Sequence, residues 1–469
     1  MNQSAKQHSY ISLNWSTNLL QLGLLAAAMF VMGCGTPDET ELTSTIDLSA
    51  QPVVGNKELS DDQLAAELEQ LEKEAIALES NGRKEDSALV RKKIHETISE
   101  NVSPDSWQAK TAKQIADTAA RNSQLAPKNE RLLAASKQLL TEFQNQAKSG
   151  AHAAASATGS RIIGNFQQIY GENSLTVAET LIQIGNIEYR TRMTDAAIRH
   201  FHSAVQILKS LDLETHPQME IAHTALGALY SRKKKFAPAL ANQKAATRIA
   251  SRLWGDTSMK YADQANQLGV MYHAADQSDT ALQILLASEV LRRKTLGDND
   301  PKVGHSLLNI ATVLKDLKRY DQAIPTFQRA KASFASHKQL GSLVEKCNLN
   351  LATIYMLQNN LPMAEQRLAE VVAGAELNQQ ANPVHIAACK YRYSIALAKQ
   401  GKYDVAQPMM EQTLQIQRQQ LGPTHSETVK TMKAYAMLLE ATKQVAAARQ
   451  VYNAIRQVSY ESESSDFQR

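Results

Sequence analysis

The feature that most constrains the fold is a row of seven alanines at an almost constant spacing. The steps between them are 42, 42, 42, 41, 42 and 42 residues. These framing alanines are Ala197, Ala239, Ala281, Ala323, Ala364, Ala406 and Ala448. Twelve residues before each stands a second small residue, namely Gly185, Gly227, Gly269, Ala311, Ala352, Ser394 and Ala436. Small residues that recur in one fixed frame predict a repeat protein.

The spacing inside each period predicts a pair of helices. A helix presents the same face every 3.6 residues, and two helices pack closely only where their backbones can approach. A small residue midway along a first helix and the framing alanine early in a second helix therefore mark the crossing of an antiparallel pair. A short polar turn such as Gln400-Gly401-Lys402 separates the two. We expect an all-α fold of stacked helix-turn-helix units.

The repeats resemble the tetratricopeptide family. In the second repeat the match runs through Leu226-Gly227-Ala228-Leu229-Tyr230, Phe236, Ala239 and Ala246, and in the fourth through Ile310-Ala311, Leu314, Tyr320, Ala323, Phe327 and Ala330. The family's early tryptophan and its closing proline are missing. A period of 42 rather than 34 resembles the longer subtype of kinesin light chains. The resemblance covers residues 171–456 and implies a right-handed α-solenoid.

The chain divides into five segments by composition and periodicity. We predict a signal peptide with a lipobox-like end at 1–34, a flexible tether at 35–58, and an N-terminal helical region with degenerate repeats at 59–170. Seven repeats follow at 171–456, and a disordered tail closes the chain at 457–469. The N-terminal helices are expected to cap the solenoid, since an open end would expose apolar surface.

The leader predicts export and lipidation. Residues 19–32 are apolar except for Gln21 and Gly23, which makes a run too short to span a bilayer. It ends in Val31-Met32-Gly33-Cys34, similar to the bacterial lipobox. We expect a lipid on Cys34 and an extracytoplasmic, membrane-anchored protein on the periplasmic side. The alternative is a plain signal peptide or a short uncleaved anchor, the latter with a cytoplasmic protein.

Composition and motifs argue against several function classes. The chain has 51 basic and 47 acidic residues, which is too balanced for a nucleic-acid footprint. It contains no Gly-x-Ser-x-Gly, no phosphate-binding glycine loop and no His-Glu-x-x-His. Cys347 and Cys389 lie 42 residues apart and are interpreted as equivalent small buried residues. We therefore expect no catalytic residues, no cofactor, no metal and no nucleic-acid partner.

The resemblance also identifies candidate groove residues. In the proteins that this chain resembles, the positions six, three and two before the small residue, and one and four after it, point into the concave groove; we call them inner-face positions. The candidates are Asn186, Tyr189, Asn266, Gln267, His273, Asn309, Lys315, Asn350 and Arg392. Asn and Gln donate and accept at once, as a peptide backbone requires. Asn309 and Asn350 fall where related repeats keep a backbone-binding asparagine.

The sequence therefore predicts a membrane-tethered scaffold or adaptor that binds a peptide or protein partner in its groove, without catalysis. Recognition of an acidic chaperone tail is not expected, because Ile182 stands where that clamp needs a lysine. The alternative function is a soluble cytoplasmic regulator or co-chaperone-like protein of the same repeat type, and an enzyme is a third possibility. For the groove itself, the alternative is that its polar residues only solvate an open surface.

Overall fold

The computed structural model describes residues 60–378 and 381–466, and this part of the chain is all-α, with nineteen α-helices and no strand. The leader, Cys34 and the tether lie outside the described residues. The N-terminal region supplies α1 (Asp61–Ser80), α2 (Lys84–Asn101), α3 (Trp107–Ser123), α4 (Pro127–Lys148) and α5 (His152–Tyr170). The predicted all-α repeat solenoid is confirmed.

Seven helix pairs follow, one for each framing alanine, and we number the repeats from 1 to 7. Repeats 1 to 3 are α6 (Leu175–Arg190) with α7 (Thr194–Ser210), α8 (Pro217–Arg232) with α9 (Phe236–Trp254), and α10 (Met259–Ala274) with α11 (Ser278–Leu296). Repeats 4 and 5 are α12 (Pro301–Asp316) with α13 (Tyr320–Ala335), and α14 (Gly341–Leu357) with α15 (Leu361–Leu377). Repeats 6 and 7 are α16 (Pro383–Lys399) with α17 (Tyr403–Gln420), and α18 (Ser426–Ala441) with α19 (Val445–Asp466).

The small residues lie where paired helices cross. Every framing alanine is at most 1% exposed. A Cβ added to Gly185 would lie 3.1 Å from the ring of Phe201, which follows a framing alanine by four residues. At Gly269 the added atom would lie 2.6 Å from Cγ of Leu285, the equivalent residue of repeat 3. The close approach inferred from the spacing is therefore present in the structure.

Polar caps begin most of the first helices, and glycines end several of the second ones. The N-cap side chains accept a hydrogen bond from a backbone N–H of their own helix in six repeats, through Ser174, His216, Ser258, Asp300, Asn382 and His425. The φ angles of Gly171, Gly255, Gly297 and Gly422 are 85°, 80°, 84° and 90°, a region that glycine enters without strain. Helix α14 differs, because a 3₁₀ turn at Lys338–Leu340 precedes it and no side chain caps it.

The chain divides into two compact units at the end of α11, after Thr295. In unit 1 one continuous apolar cluster runs from Leu64 to Leu253, so the N-terminal helices share a core with repeats 1 and 2. In unit 2 Phe327 and Phe334 are fully buried in repeat 4. Smaller clusters, such as that of Leu414, Met432 and Ile455, fill the later repeats.

The C-terminal helix extends further than the sequence predicts. Helix α19 continues through Asp466, whereas a disordered tail is expected from residue 457. The segment from 445 to 466 contains no glycine or proline, and several of its residues are good helix formers, so no side chain ends the helix earlier. Residues 467–469 lie outside the described part. No helix in the described part combines the length and apolar character that crossing a bilayer requires.

Candidate functional site

In unit 1 the inner-face positions of repeat 1 carry side-chain amides whose oxygens are buried and unpaired. The amide oxygens of Gln183 and Asn186, three residues apart on α6, are buried and accept no hydrogen bond from the protein. The same holds for Oε1 of Gln267 on α10, which stands two before the small residue as Gln183 does. A buried acceptor without a donor is costly.

Glu179 belongs to the same face of α6, one turn before Gln183. Its side chain is half-buried, and desolvation raises the pKa of its carboxyl from 4.5 to about 7. Near neutral pH the group is therefore present both as a carboxylic acid, which donates a hydrogen bond, and as a carboxylate, which only accepts. Glu179 therefore changes its hydrogen-bonding role near neutral pH.

Two of the expected groove residues in unit 1 are covered instead. Tyr189 is 7% exposed, and the guanidinium of Arg232 from repeat 2 lies 4.7 Å from its ring centroid. Asn266 is 2% exposed, because α10 is packed around most of its circumference. Both side chains are thus largely buried rather than open to a groove, and their role in partner binding stays a prediction. His273 is half-buried, and its Nδ1 lies 3.0 Å from Oγ of Ser278 in the same repeat.

In unit 2 the structure brings together two predicted residues from different repeats. Nζ of Lys315 on α12 donates to Oδ1 of Asn350 on α14 at 2.9 Å. Nδ2 of Asn350 donates to the carbonyl of Lys346 at 2.9 Å, which fixes the orientation of the carboxamide. Asn309 is half-buried on α12, and Arg392 is exposed on α16. The inner faces of neighbouring first helices are thus joined by a hydrogen bond between a charged and a neutral group.

An open cavity of about 670 Å³ lies between repeats 6 and 7 of unit 2. Its lining comes from the first helices of both repeats, from Thr424 in the loop before α18 and from one residue of α19: Tyr391, Ile395, Thr424, Ser426, Val429, Lys430, Lys433, Ala434, Met437 and Val458. Nζ of Lys430 lies 5.3 Å from the ring centroid of Tyr391. Desolvation raises the pKa of the Tyr391 hydroxyl, with a smaller effect of Glu427. The phenol therefore stays neutral and able to donate.

Six of the cavity residues stand at inner-face positions. Tyr391 and Ile395 lie three before and one after Ser394. In repeat 7, Lys430, Lys433, Ala434 and Met437 lie six, three and two before and one after Ala436. The predicted site residues end at Arg392 and miss repeat 7. Applying the same rule one period further along the chain would have found these four.

Comparisons with known proteins agree with the fold. The family model described as Tetratricopeptide repeat matches residues 176–252, 261–336 and 386–459. The Secreted RxLR effector protein RXLR-C07 of Plasmopara halstedii is 19% identical over 197 residues, or 42% of this chain and 61% of that protein. Protein KINESIN LIGHT CHAIN-RELATED 1 of Arabidopsis thaliana is 24% identical over 170 residues, or 36% of this chain and 28% of that protein. The chain spans less than two thirds of either relative.

Among solved structures, the crystal structure of the apo form of RapI is similar with a TM-score of 0.52 and 13% identity, covering 71% of this chain and 88% of that one. At this identity the likeness shows the fold alone. The three matched ranges cover most of both helices of repeats 1 to 4, 6 and 7, in the frame that the alanines set. Over these ranges the chain consists of tetratricopeptide repeats.

Proposed function

We propose that this protein is a non-enzymatic scaffold that binds a peptide or protein partner along the inner-face positions of its first helices. The observation that carries the proposal is the open cavity of unit 2, since it forms at those positions in repeats 6 and 7. Pockets that combine apolar walls with a few polar groups are the usual form of a binding site. The tetratricopeptide repeats and the solenoid fold support a protein-binding role.

The chemistry of this cavity favours a peptide with acidic and apolar side chains. Lys430 and Lys433 are three residues apart and therefore lie on one side of α18. Ile395 and the 64% exposed Met437 supply apolar surface beside them. A carboxylate near the lysines and an aliphatic or aromatic side chain against Met437 would pair charge and apolar area in one segment.

The proposal includes attachment to a membrane through a lipid on Cys34. Support comes from the leader, with its apolar run and lipobox-like end. In the alternative arrangement the protein is cytoplasmic, and its apolar leader is a short anchor that carries no lipid. Attachment would hold the repeats near the bilayer and raise the local concentration of a bound partner there.

A displayed library of random peptides, panned on the full chain, tests the binding role. We expect enriched peptides to carry acidic and apolar residues. The double substitution Lys430→Glu with Lys433→Glu should weaken their binding by about 1–3 kcal/mol, because attraction turns into repulsion. The combination of Asn309→Ala and Asn350→Ala extends the test to repeats 4 and 5, with an expected loss of about 1–3 kcal/mol.

The matched control is Lys399→Glu, which reverses an exposed charge of α16 outside the cavity. Its affinity for the selected peptides should equal that of the unsubstituted chain. Peptides that bind the double charge reversal as tightly as the original chain would place the site elsewhere. A library from which no peptide is enriched would contradict the proposed function.

A further inference from the structure

Three side chains that commonly bind metals meet between repeats 5 and 6 of unit 2. Glu345 lies on α14, and His385 and Cys389 lie one turn apart on α16. Nε2 of His385 is 2.9 Å from Oε1 of Glu345. Sγ of Cys389 is 3.8 Å from each of these two atoms. The three atoms therefore form a compact triangle with one nitrogen, one oxygen and one sulfur.

The size of the triangle fits a tetrahedral ion. Zinc binds nitrogen and oxygen at about 2.0–2.2 Å and sulfur at about 2.3 Å, so neighbouring ligand atoms of a zinc tetrahedron lie about 3.3–3.6 Å apart. The observed edges of 2.9, 3.8 and 3.8 Å differ from those values by about 0.5 Å or less. Small side-chain rotations would bring all three atoms to bonding distance of one central ion. One tetrahedral position would remain open.

The three side chains are buried on one side and accessible on the other. Cys389 is 2% exposed and packs against Val371 and Val372, so the thiol forms the buried floor of the site. The side chains of His385 and Glu345 are 47% and 21% exposed and leave an entry path. One thiolate, one carboxylate and one neutral imidazole would balance the two charges of the ion. The buried negative charges of the thiolate and the carboxylate are tolerated when a metal ion neutralises them.

The thiol is protonated while the site holds no ion. Desolvation, followed by the charge of Glu345, raises the pKa of Cys389 to about 11. A bound divalent ion deprotonates a coordinating thiol and releases the proton to solvent. Without an ion, the His385 ring and the Glu345 carboxylate pair with each other. Binding therefore exchanges this pair for three coordinate bonds.

We propose that Glu345, His385 and Cys389 bind one Zn²⁺ with three protein ligands and one open position. The mixed sulfur, nitrogen and oxygen donors in a tetrahedral arrangement are typical of zinc rather than of magnesium or calcium. Because the ligands come from two repeats, the ion joins the first helices of repeats 5 and 6. No metal site is predicted from the sequence. Cys389 is interpreted there only as the equivalent of Cys347, and Glu345 lies 44 residues before Cys389.

Cobalt is the probe, used on the full chain in a Cys34→Ser background so that only the two buried thiols remain. Titration of the metal-free protein with Co²⁺ should give one ion per chain, a thiolate-to-cobalt charge-transfer band and the intense visible bands of tetrahedral cobalt. Zn²⁺ should displace the cobalt and raise the melting temperature, because it binds only the folded state. Cys389→Ser should abolish the charge-transfer band. His385→Ala and Glu345→Gln should weaken binding about 100-fold or more, since loss of an outer-shell partner alone costs about 10–100-fold.

Cys347→Ser is the matched control. Cys347 stands five before the small residue of repeat 5, as Cys389 does in repeat 6, and it is fully buried, but Leu343 occupies the position equivalent to His385. Both substitutions bury a hydroxyl, so melting of the metal-free variants separates a folding defect from a lost ligand. Cys347→Ser should keep the cobalt spectrum and the affinity. The proposal is overturned if the unsubstituted site gives no thiolate band, or if Cys389→Ser retains it.

Discussion

Single residues set how closely the paired helices approach one another. A Cβ on Gly227 would lie 3.3 Å from the carbonyl oxygen of Ala239, which is close to the limit of contact. At Gly269 the same atom would overlap Leu285 unless that side chain moved. Glycine in a helix interior costs about 0.5–1 kcal/mol relative to alanine. Glycine stands at three first-helix crossings despite this cost because the partner helix leaves little room for a Cβ there.

The framing alanines are expected to tolerate no larger side chain. Ala323 is 0% exposed at the crossing of α12 and α13. Ala323→Leu should lower the free energy of unfolding of unit 2 by about 1–3 kcal/mol, because three extra carbons must displace close-packed neighbours. Denaturant unfolding followed by circular dichroism measures the shift in midpoint.

Ala332→Leu is the control for this substitution. Ala332 is exposed on the same helix, so the change should alter stability by no more than about 0.5 kcal/mol. Equal midpoints for the two variants would show that the crossing has room for leucine. The assignment of the framing alanines as close contacts would then be wrong.

His216 both caps the start of α8 and packs against another helix. Its Nδ1 accepts from the backbone N–H of Gln218 at 3.1 Å, and Trp107 of α3 meets its ring edge to face at 5.6 Å between centroids. The residue is 5% exposed, and burial lowers the pKa of its imidazole to about 3. The sequence predicts a polar cap at this position, but only the packing of α3 makes this cap neutral and buried.

Unit 1 should lose stability as the pH falls because of this histidine. The folded-state pKa of about 3 lies below the ordinary value of 6.5, so protons bind preferentially to the unfolded chain. The contribution is fully present above pH 6.5 and is lost progressively between pH 6.5 and 3. The loss is up to about 1.4 kcal/mol for each pH unit. His216→Asn keeps a capping side chain and should remove this part of the pH dependence.

Urea unfolding at several pH values, followed by the intrinsic tryptophan fluorescence to which Trp107 and Trp254 of unit 1 contribute, measures this effect. His425→Asn is the control, because His425 forms the same kind of cap at α18 in unit 2 and is exposed. The readout is the slope of stability against pH rather than the stability itself, since replacing His216 also removes the ring contact with Trp107. Identical slopes for the original chain and His216→Asn would contradict the prediction.

At the scale of the whole molecule, the sequence predicts a leader and a tether before two units of stacked helices. The described residues form both units, and the leader with Cys34 lies outside them. Lipidation therefore remains a prediction from the sequence. It matters for the proposed function, because the same repeats would meet different partners at a membrane surface and in the cytoplasm.

Labelling with palmitate in a bacterial host tests the attachment. We expect the original chain to incorporate label and to sediment with membranes, because two or three acyl chains bind a bilayer firmly. Cys34→Ser should lose both properties, and Cys347→Ser should keep them as the control for replacing a cysteine. Equal labelling of the original chain and Cys34→Ser would exclude lipidation at Cys34 and favour a short anchor or plain signal peptide.

The sequence by itself determined the helix pairs, their number, the crossing points and most of the caps. These depend on local propensity and on a side-chain size that repeats with the period, as at Gly185 with Ala197 or at Ser258 before α10. Tertiary structure alone decided which polar residues stay accessible. Asn266 and Tyr189 are covered, Lys315 donates to Asn350, and repeats 6 and 7 together line an open cavity. It also decided that Glu345 meets His385 and Cys389. The physical reason is that such contacts depend on how neighbouring helices are offset and how their side chains rotate, and no periodic pattern along the chain encodes either.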